Sequence, residues 1–301
     1  MASKIRVFTL IFSLFSFLGA AFKSSSQNQP IKLSEEAQIS VITFGPYQGE
    51  LWSAFGHNGI RVFDPLLDMD WMYDWGRFDF EQTNFFWNFA RGKMLYSIGR
   101  TQKYPDIKSY YIKQNRSIKE QVLNLSHAEN QAFFNYLEHN NLPEHRTYLY
   151  NYVYDNCATK IRDIIQEVVP AATFDLSFKV PKKSVRDLMD DYLSDQPWGD
   201  FIIDVALAHP IDNEASANSY LFLPDYVHLA LEGGTIENIV DTIPLIKDST
   251  AINVMKNEKR PQSTFNPFST FVLLFFIVGF ITNKNFKNKK RTHWIDVLLF
   301  S

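Results

Sequence analysis

The sequence predicts an α+β fold followed by a membrane-spanning helix. Three observations carry that prediction. Short alternating or β-branched runs occupy much of the chain before residue 152, helical periodicity starts at Cys157 and prevails after Pro170, and residues 265–281 are almost uninterruptedly apolar.

Taken in order, residues 1–22 read as a secretory signal peptide. Lys4 and Arg6 precede the run VFTLIFSLFSFLGAAF, which ends among the small residues Gly19, Ala20 and Ala21. No cysteine follows it, so it is not a lipoprotein signal; an uncleaved anchor is the alternative. Residues 23–38 form a polar linker. A core at 39–169 then opens with the strand ISVITF, which ends at Gly45-Pro46, and a helical turn is expected at 50–55. In FGHNGIRVF, His57 opens a strand on the face opposite Ile60 and Val62. Further strands are expected at 69–75, 94–99 and 117–125, a short helix or aromatic lid at 80–90, and a helix at 104–111. Ser126 and Glu129 make a capping box for a helix reaching about Asn140. Tyr148, Tyr150, Tyr152 and Tyr154 alternate along a strand at 147–154 that delivers the chain to Cys157.

Residues 170–255 read as a mainly helical extension, with helices at 182–193, 198–208 and 224–231, and 256–264 as a tether. The apolar run at 265–281 is about as long as the shortest membrane-spanning helices, and Lys284, Lys287, Lys289, Lys290 and Arg291 after it mark the cytoplasmic side. Both ends therefore place the intervening domain outside the cytoplasm. A second apolar run starts at 294–301, which predicts a longer protein with at least one further span.

Residues 23–264 carry 23 Lys+Arg against 32 Asp+Glu, a net charge of −9 with histidines neutral, which excludes a nucleic-acid partner. Aromatic residues, 16% of the chain, suit an aromatic-rich core or a surface for apolar partners. The sequence has no repeat, glycine-rich phosphate loop or paired-cysteine metal motif. His139 and His145 flank Glu138 and Glu144 around a helix end and read as solvated polar residues rather than a metal site. No metal or cofactor is expected.

Cys157 is the only cysteine. In YVYDNCATKIRDIIQEVVP, the residues Ile161, Ile164, Ile165 and Val168 recur at helical spacing, Asp155 or Asn156 can cap the amino end, and Pro170 stops the run. A first-turn cysteine meets unpaired N–H groups and the positive end of the helix dipole, which favour a thiolate. A lone cysteine is also commonly a small buried hydrophobe. As a nucleophile it needs an imidazole and a group that orients the imidazole. His57, beside glycines, is the best-placed histidine; His127 and His293 read as bystanders, with His209 and His228 in reserve. Asp74 and Tyr73 are the candidates for the orienting group, and they point to opposite faces of one strand, so only one can serve; Asp74 is preferred, because a carboxylate both orients an imidazolium and stabilises its charge, and Tyr73 is kept as an oxyanion or substrate-binding residue. An oxyanion would be met by the Cys157 N–H with Asn156 or Tyr152.

The series FGHNGIRVFDP, YDWGRFDF, NFFWNFARGKMLY, YNYVYDNCATKIRD and SYLFLPDYV resembles the N-terminal periplasmic domain family of Lnb-type lipoprotein N-acyltransferases, over about residues 39–231. Histidine first and cysteine about a hundred residues later is similar to the circularly permuted NlpC/P60, papain-like fold, which includes the lecithin:retinol acyltransferase type. The resemblance implies an antiparallel sheet packed on the Cys157 helix, with His57 as base and Cys157 as nucleophile. It implies a phospholipid acyl donor, a Cys157 thioester, and a lipoprotein acceptor acylated on the amino group of its terminal cysteine. The expected location is the inner membrane with the main domain in the periplasm. Two other readings stand beside this one: a cell-wall amidase or peptidase of NlpC/P60 type, and a non-enzymatic exported module that binds a lipid or a partner.

Overall fold

The first strand, β1 (Gln38–Phe44), is buried along all but its first residue. A strand apolar on both faces belongs inside a sheet covered on both sides, and that is its position. In the computed structural model, which describes residues 30–79, 81–84, 87–88, 91–178, 182–237, 241–255, 266–294 and 297, β1 is the third strand of a seven-stranded sheet. The others are β2 (His57–Asp64), β3 (Met69–Arg77), β4 (Met94–Thr101), β5 (Ile118–Leu123), β6 (Thr147–Tyr150) and β10 (Ile246–Asn253). Their order is β10-β5-β1-β2-β3-β4-β6, and every neighbouring pair is antiparallel.

Helix α1 (Tyr104–Lys113) covers one face, where Tyr104 packs with Ile42, Phe44, Met72 and Ile118. The other face carries α2 (His127–Asn140) and α3 (Cys157–Val168). Ala158, Ile161, Ile164 and Ile165 of α3 pack there with Ile39, Val41, Ile60, Val62 and Trp75. Each fully buried isoleucine contributes about 2 kcal/mol of transfer free energy, so these side chains hold the amino end of α3 over the sheet. The capping box of Ser126 and Glu129 forms as expected and starts α2.

Two expectations are corrected. The tyrosine-rich strand stops at Tyr150, because the Asn151 side chain accepts hydrogen bonds from the Val153 and Tyr154 N–H groups and folds the chain into a turn closed by an Asn151–Asp155 bridge. The region after Pro170 is mainly helical, as expected, but it is not set apart from the core. It supplies α4 (Val185–Leu193), α5 (Pro197–Leu207) and α6 (Pro224–Glu232), but also β10 of the main sheet and a small sheet of β7 (Ala172–Thr173), β8 (Thr235–Glu237) and β9 (Thr242–Pro244). Leu221, Val227, Leu231 and Leu245 belong to the same core as Ile161, so residues 169 and 170 do not mark a structural boundary; Leu33–Ser301 form one unit. β10 escaped the sequence because IKDSTAIN is an exposed edge strand paired through its backbone, with no apolar alternation to betray it.

Asn266 caps the last long helix, α7 (Pro267–Lys287), which is long and apolar enough to cross a membrane. Its 21 residues span about 31 Å, close to the hydrocarbon thickness of a bilayer. The signal-peptide and tether segments, residues 80, 85–86 and 89–90 of the expected lid, and most of residues 294–301 lie outside the described residues.

Candidate active site

Three local structures converge at one end of the sheet. The first is the turn into β2. Gly56 has φ +88°, and a Cβ there would sit against the Phe44 carbonyl, so glycine is needed where the chain turns to begin the strand at His57. The second is the end of β3, which carries Asp74. The third is the amino terminus of α3. Asn156 caps it by accepting from the Ala158 and Thr159 N–H groups at 2.8 and 3.0 Å, while the Thr159 hydroxyl accepts from the Asn156 N–H. Cys157 is therefore the first helical residue, partly exposed, and the N–H groups around it favour negative charge on sulfur.

His57 stands between the other two groups. Its Nε2 lies 3.3 Å from Asp74 Oδ2, and its ring shares the cavity with Cys157, close enough for the two to influence each other's charge. Nε2 is committed to the carboxylate, which leaves Nδ1 as the nitrogen to exchange a proton with sulfur. Burial is the largest influence on His57 and disfavours its charge, but Tyr111, Cys157 and Asp74 outweigh it and hold the imidazolium well above the ordinary histidine value. Burial likewise disfavours the thiolate. It is outweighed by His57 and by the Asn58 N–H that donates to the sulfur, so the Cys157 pKa falls below its ordinary value. Opposite shifts in two neighbouring groups favour a thiolate–imidazolium pair. Asp74 would also be raised by burial, but His57 and Arg77 keep it below the usual carboxylate range.

Arg77 was not singled out in the sequence. Its Nε donates to Asp74 Oδ1 at 2.6 Å and its Nη2 to the Thr101 hydroxyl at 2.9 Å. Strict alternation puts residues 74 and 77 on opposite faces. The register shift after Trp75, with Gly76 at φ +97°, breaks the alternation and returns Arg77 to the Asp74 side. Glycine before arginine in YDWGRF was the available signal.

The other sequence candidates are sorted by geometry. Tyr73 faces the core beneath α3, fully buried, and its hydroxyl donates to Glu138 at 2.7 Å, so it does not reach the site. Asn156 lines the cavity, but both of its amide hydrogens are used, on the Tyr152 and Phe222 carbonyls at 2.7 and 2.9 Å. It therefore builds the turn and has no N–H left for an oxyanion. Tyr152 lines the cavity, its ring edge-on to Tyr150. His127 and His209 pair with Glu35 and Asp212, and His228 lies on α6; none lines the cavity. His139 and His145 stack on each other, with ring centroids 4.2 Å apart.

Cys157, His57 and Asp74 open onto a cavity of about 260 Å³ walled by Trp52, Phe55, Phe78, Tyr96, Tyr150 and Tyr152, among others. An activated thiol with a general base, in a chamber of this size walled by aromatic and a few charged side chains, suits attack on the carbonyl of an ester or amide.

No curated protein matches this chain. A crystal structure of the type VI secretion system effector TseH is similar at 15% identity and TM-score 0.31, over 49% of this chain and 83% of that one. A family model described as the Lnb N-terminal periplasmic domain matches residues 31–191. That match spans more than half of the chain and both halves of the site, and the chain belongs to the Lnb N-terminal periplasmic domain family.

Proposed function

We propose that this protein is a membrane-anchored periplasmic thiol acyltransferase that N-acylates the terminal cysteine of lipoproteins with a chain taken from phospholipid. The observation that carries this reading is the Cys157–His57–Asp74 array opening onto an aromatic-walled cavity, in a chain of the Lnb family that also has an apolar helix of membrane-spanning length. We further read the sheet with its histidine strand preceding the cysteine helix as a permuted NlpC/P60, papain-like arrangement. The basic residues after α7 support the inner membrane, with the cavity on the periplasmic side.

In the first half-reaction the Cys157 thiolate attacks the ester carbonyl of the donor. The oxyanion is met by the Cys157 N–H, which the Asn156 cap leaves free. Collapse breaks the bond to the glycerol oxygen, and His57 gives that oxygen its proton as lysophospholipid leaves. The acyl group is then a thioester on Cys157. In the second half-reaction the amino group of the lipoprotein cysteine attacks the thioester, His57 takes the amine proton, the amide forms, and the thiolate is restored. Asp74 keeps the imidazole oriented and stabilises its charge throughout.

Intact mass spectrometry of the membrane-embedded protein, after incubation with labelled phospholipid, should reveal a hydroxylamine-sensitive acyl adduct on Cys157 that is missing in His57→Ala. Lipoprotein N-acylation by a Cys157→Ala protein, in a strain lacking other acyltransferases, would sink the proposal. Release of peptides from peptidoglycan without any adduct would favour a cell-wall hydrolase instead.

A further inference from the structure

The same cavity holds a second charged group that the chemistry above does not use. Arg116, in the turn between α1 and β5, is only 3% exposed, yet it lines the cavity together with Cys157 and His57. Its Nε donates to the Gly45 carbonyl at 2.7 Å, its guanidinium lies 4.5 Å from the centre of the Tyr111 ring, and the Asn253 side chain of β10 holds its backbone carbonyl. Its Nη2 is buried and has no hydrogen-bond partner among the described residues. Glu50 lines the same cavity, but its carboxylate accepts from the Ser53 hydroxyl and makes no ion pair with Arg116 among the described residues. Burial pulls the guanidinium below its ordinary pKa, and the neighbouring tyrosines, Cys157 and Glu50 offset that only in part.

A buried arginine with an unused donor is costly unless something anionic completes it. Arginine is also the side chain best shaped to bind phosphate oxygens. We propose that Arg116 is the anion subsite of this cavity and holds the phosphodiester of the donor phospholipid while an acyl ester lies against Cys157. This rests on the acyl-transfer reading and adds to it the feature by which the donor is recognised.

The surroundings favour a lipid phosphate over a free one. Many of the remaining lining residues are aromatic, and the segment that carries Glu50 and Trp52 is linked through α5 to the apolar helix α7. Gln196, at the start of α5, donates to the Gln48 side chain at 3.0 Å, just before Glu50 and Trp52 of the cavity wall. Further along α5, Phe201 meets Phe271 of α7, their ring centroids 5.4 Å apart.

The test uses full-length protein in detergent with two short-chain donors, dihexanoylphosphatidylglycerol and dihexanoylglycerol, which share acyl esters and differ in the phosphate. Formation of the Cys157 adduct should be faster from the phospholipid in wild type. In Arg116→Gln that preference should fall about 10- to 100-fold, the worth of a hydrogen bond to a charged group, and Arg116→Lys should recover part of it. An unchanged preference in Arg116→Gln overturns the proposal, even if both rates drop, because a purely structural arginine would slow both donors alike. In parallel, tryptophan fluorescence of Cys157→Ala, reporting through Trp52 and Trp75, should show phospholipid binding that is lost in Cys157→Ala/Arg116→Gln. Arg116-dependent binding with no adduct in wild type would sink acyl transfer and leave the anion subsite standing. Inorganic phosphate that competes as well as the short-chain lipid at equal concentration would mean a free-anion site and overturn the lipid assignment.

Discussion

Strands β2 and β3 carry two cation–carboxylate contacts built on the same plan. His57 reaches Asp74, and four residues on, Arg61 reaches Asp70, each across the same diagonal of the pairing register. Their surroundings diverge. Arg61 gives Nε and Nη2 to Asp70 at 2.6 and 3.0 Å and Nη1 to Glu120 at 2.9 Å, and it lies against the rings of Phe63 and Tyr104. That network is closed and always charged, so it has nothing to offer a ligand. At His57 the cation can be given up, one ring nitrogen faces a thiol, and the contact borders an open cavity. Identical strand geometry thus yields a brace in one place and a candidate proton shuttle in the other. A titratable group and an open side make the difference.

The comparison can be broken most severely at His57. His57→Ala should cut acyl-adduct formation about 10⁴-fold or more while leaving the circular dichroism spectrum native; a rate near wild type would reduce His57 to a second brace. Asp74→Asn should cost about 10²- to 10³-fold through loss of imidazole orientation. Arg61→Met should do the reverse, lowering stability in urea by about 1–3 kcal/mol as a partly buried ion pair is lost, with the acylation rate kept. If Arg61→Met and Asp74→Asn had the same profile, the two networks would not differ in kind.

Titration sharpens the contrast. Alkylation of Cys157 by iodoacetamide tracks the thiolate, so in wild type its rate should climb at a pH below that of an ordinary thiol, because the Cys157 pKa is lowered. Removing His57 takes away the largest influence opposing burial, and the climb should move to higher pH. A profile that stays in place in His57→Ala would dismiss the ion pair. The smallest effect is expected at Tyr73. Tyr73→Phe removes the hydroxyl bonded to Glu138 and should cost about 1 kcal/mol in chemical denaturation, with no change in the adduct rate.

Much of this site was legible in the residues. Asn156 before Cys157 announces a capped helix start, and the isoleucine spacing orients that helix over a sheet. Glycine before His57 announces a turn into a strand, and strand alternation shows that Asp74 and Tyr73 cannot both serve. Legibility failed where local rules are interrupted. The Gly76 bulge shifts the register at Arg77, and the side chain of Asn151 ends the tyrosine strand early. It failed again where pairing is carried by the backbone alone, as at the polar strand β10. Arg116 had no local mark at all, because what distinguishes it is burial beside residues far away in the chain.

By itself the sequence determined the periodicities, the capped nucleophile helix, the apolar helix that follows, and the motifs that place the chain in its family, because each depends on residues close together in the chain. Only the tertiary structure decided that Asp74 and not Tyr73 meets His57, that Asn156 spends its amide hydrogens on the backbone, that residues beyond 170 complete the sheet, and that a buried arginine shares the cavity with the thiol. Those outcomes depend on register, on burial and on which donors are left over once the chain has closed on itself, and no short stretch of sequence encodes a remainder of that kind.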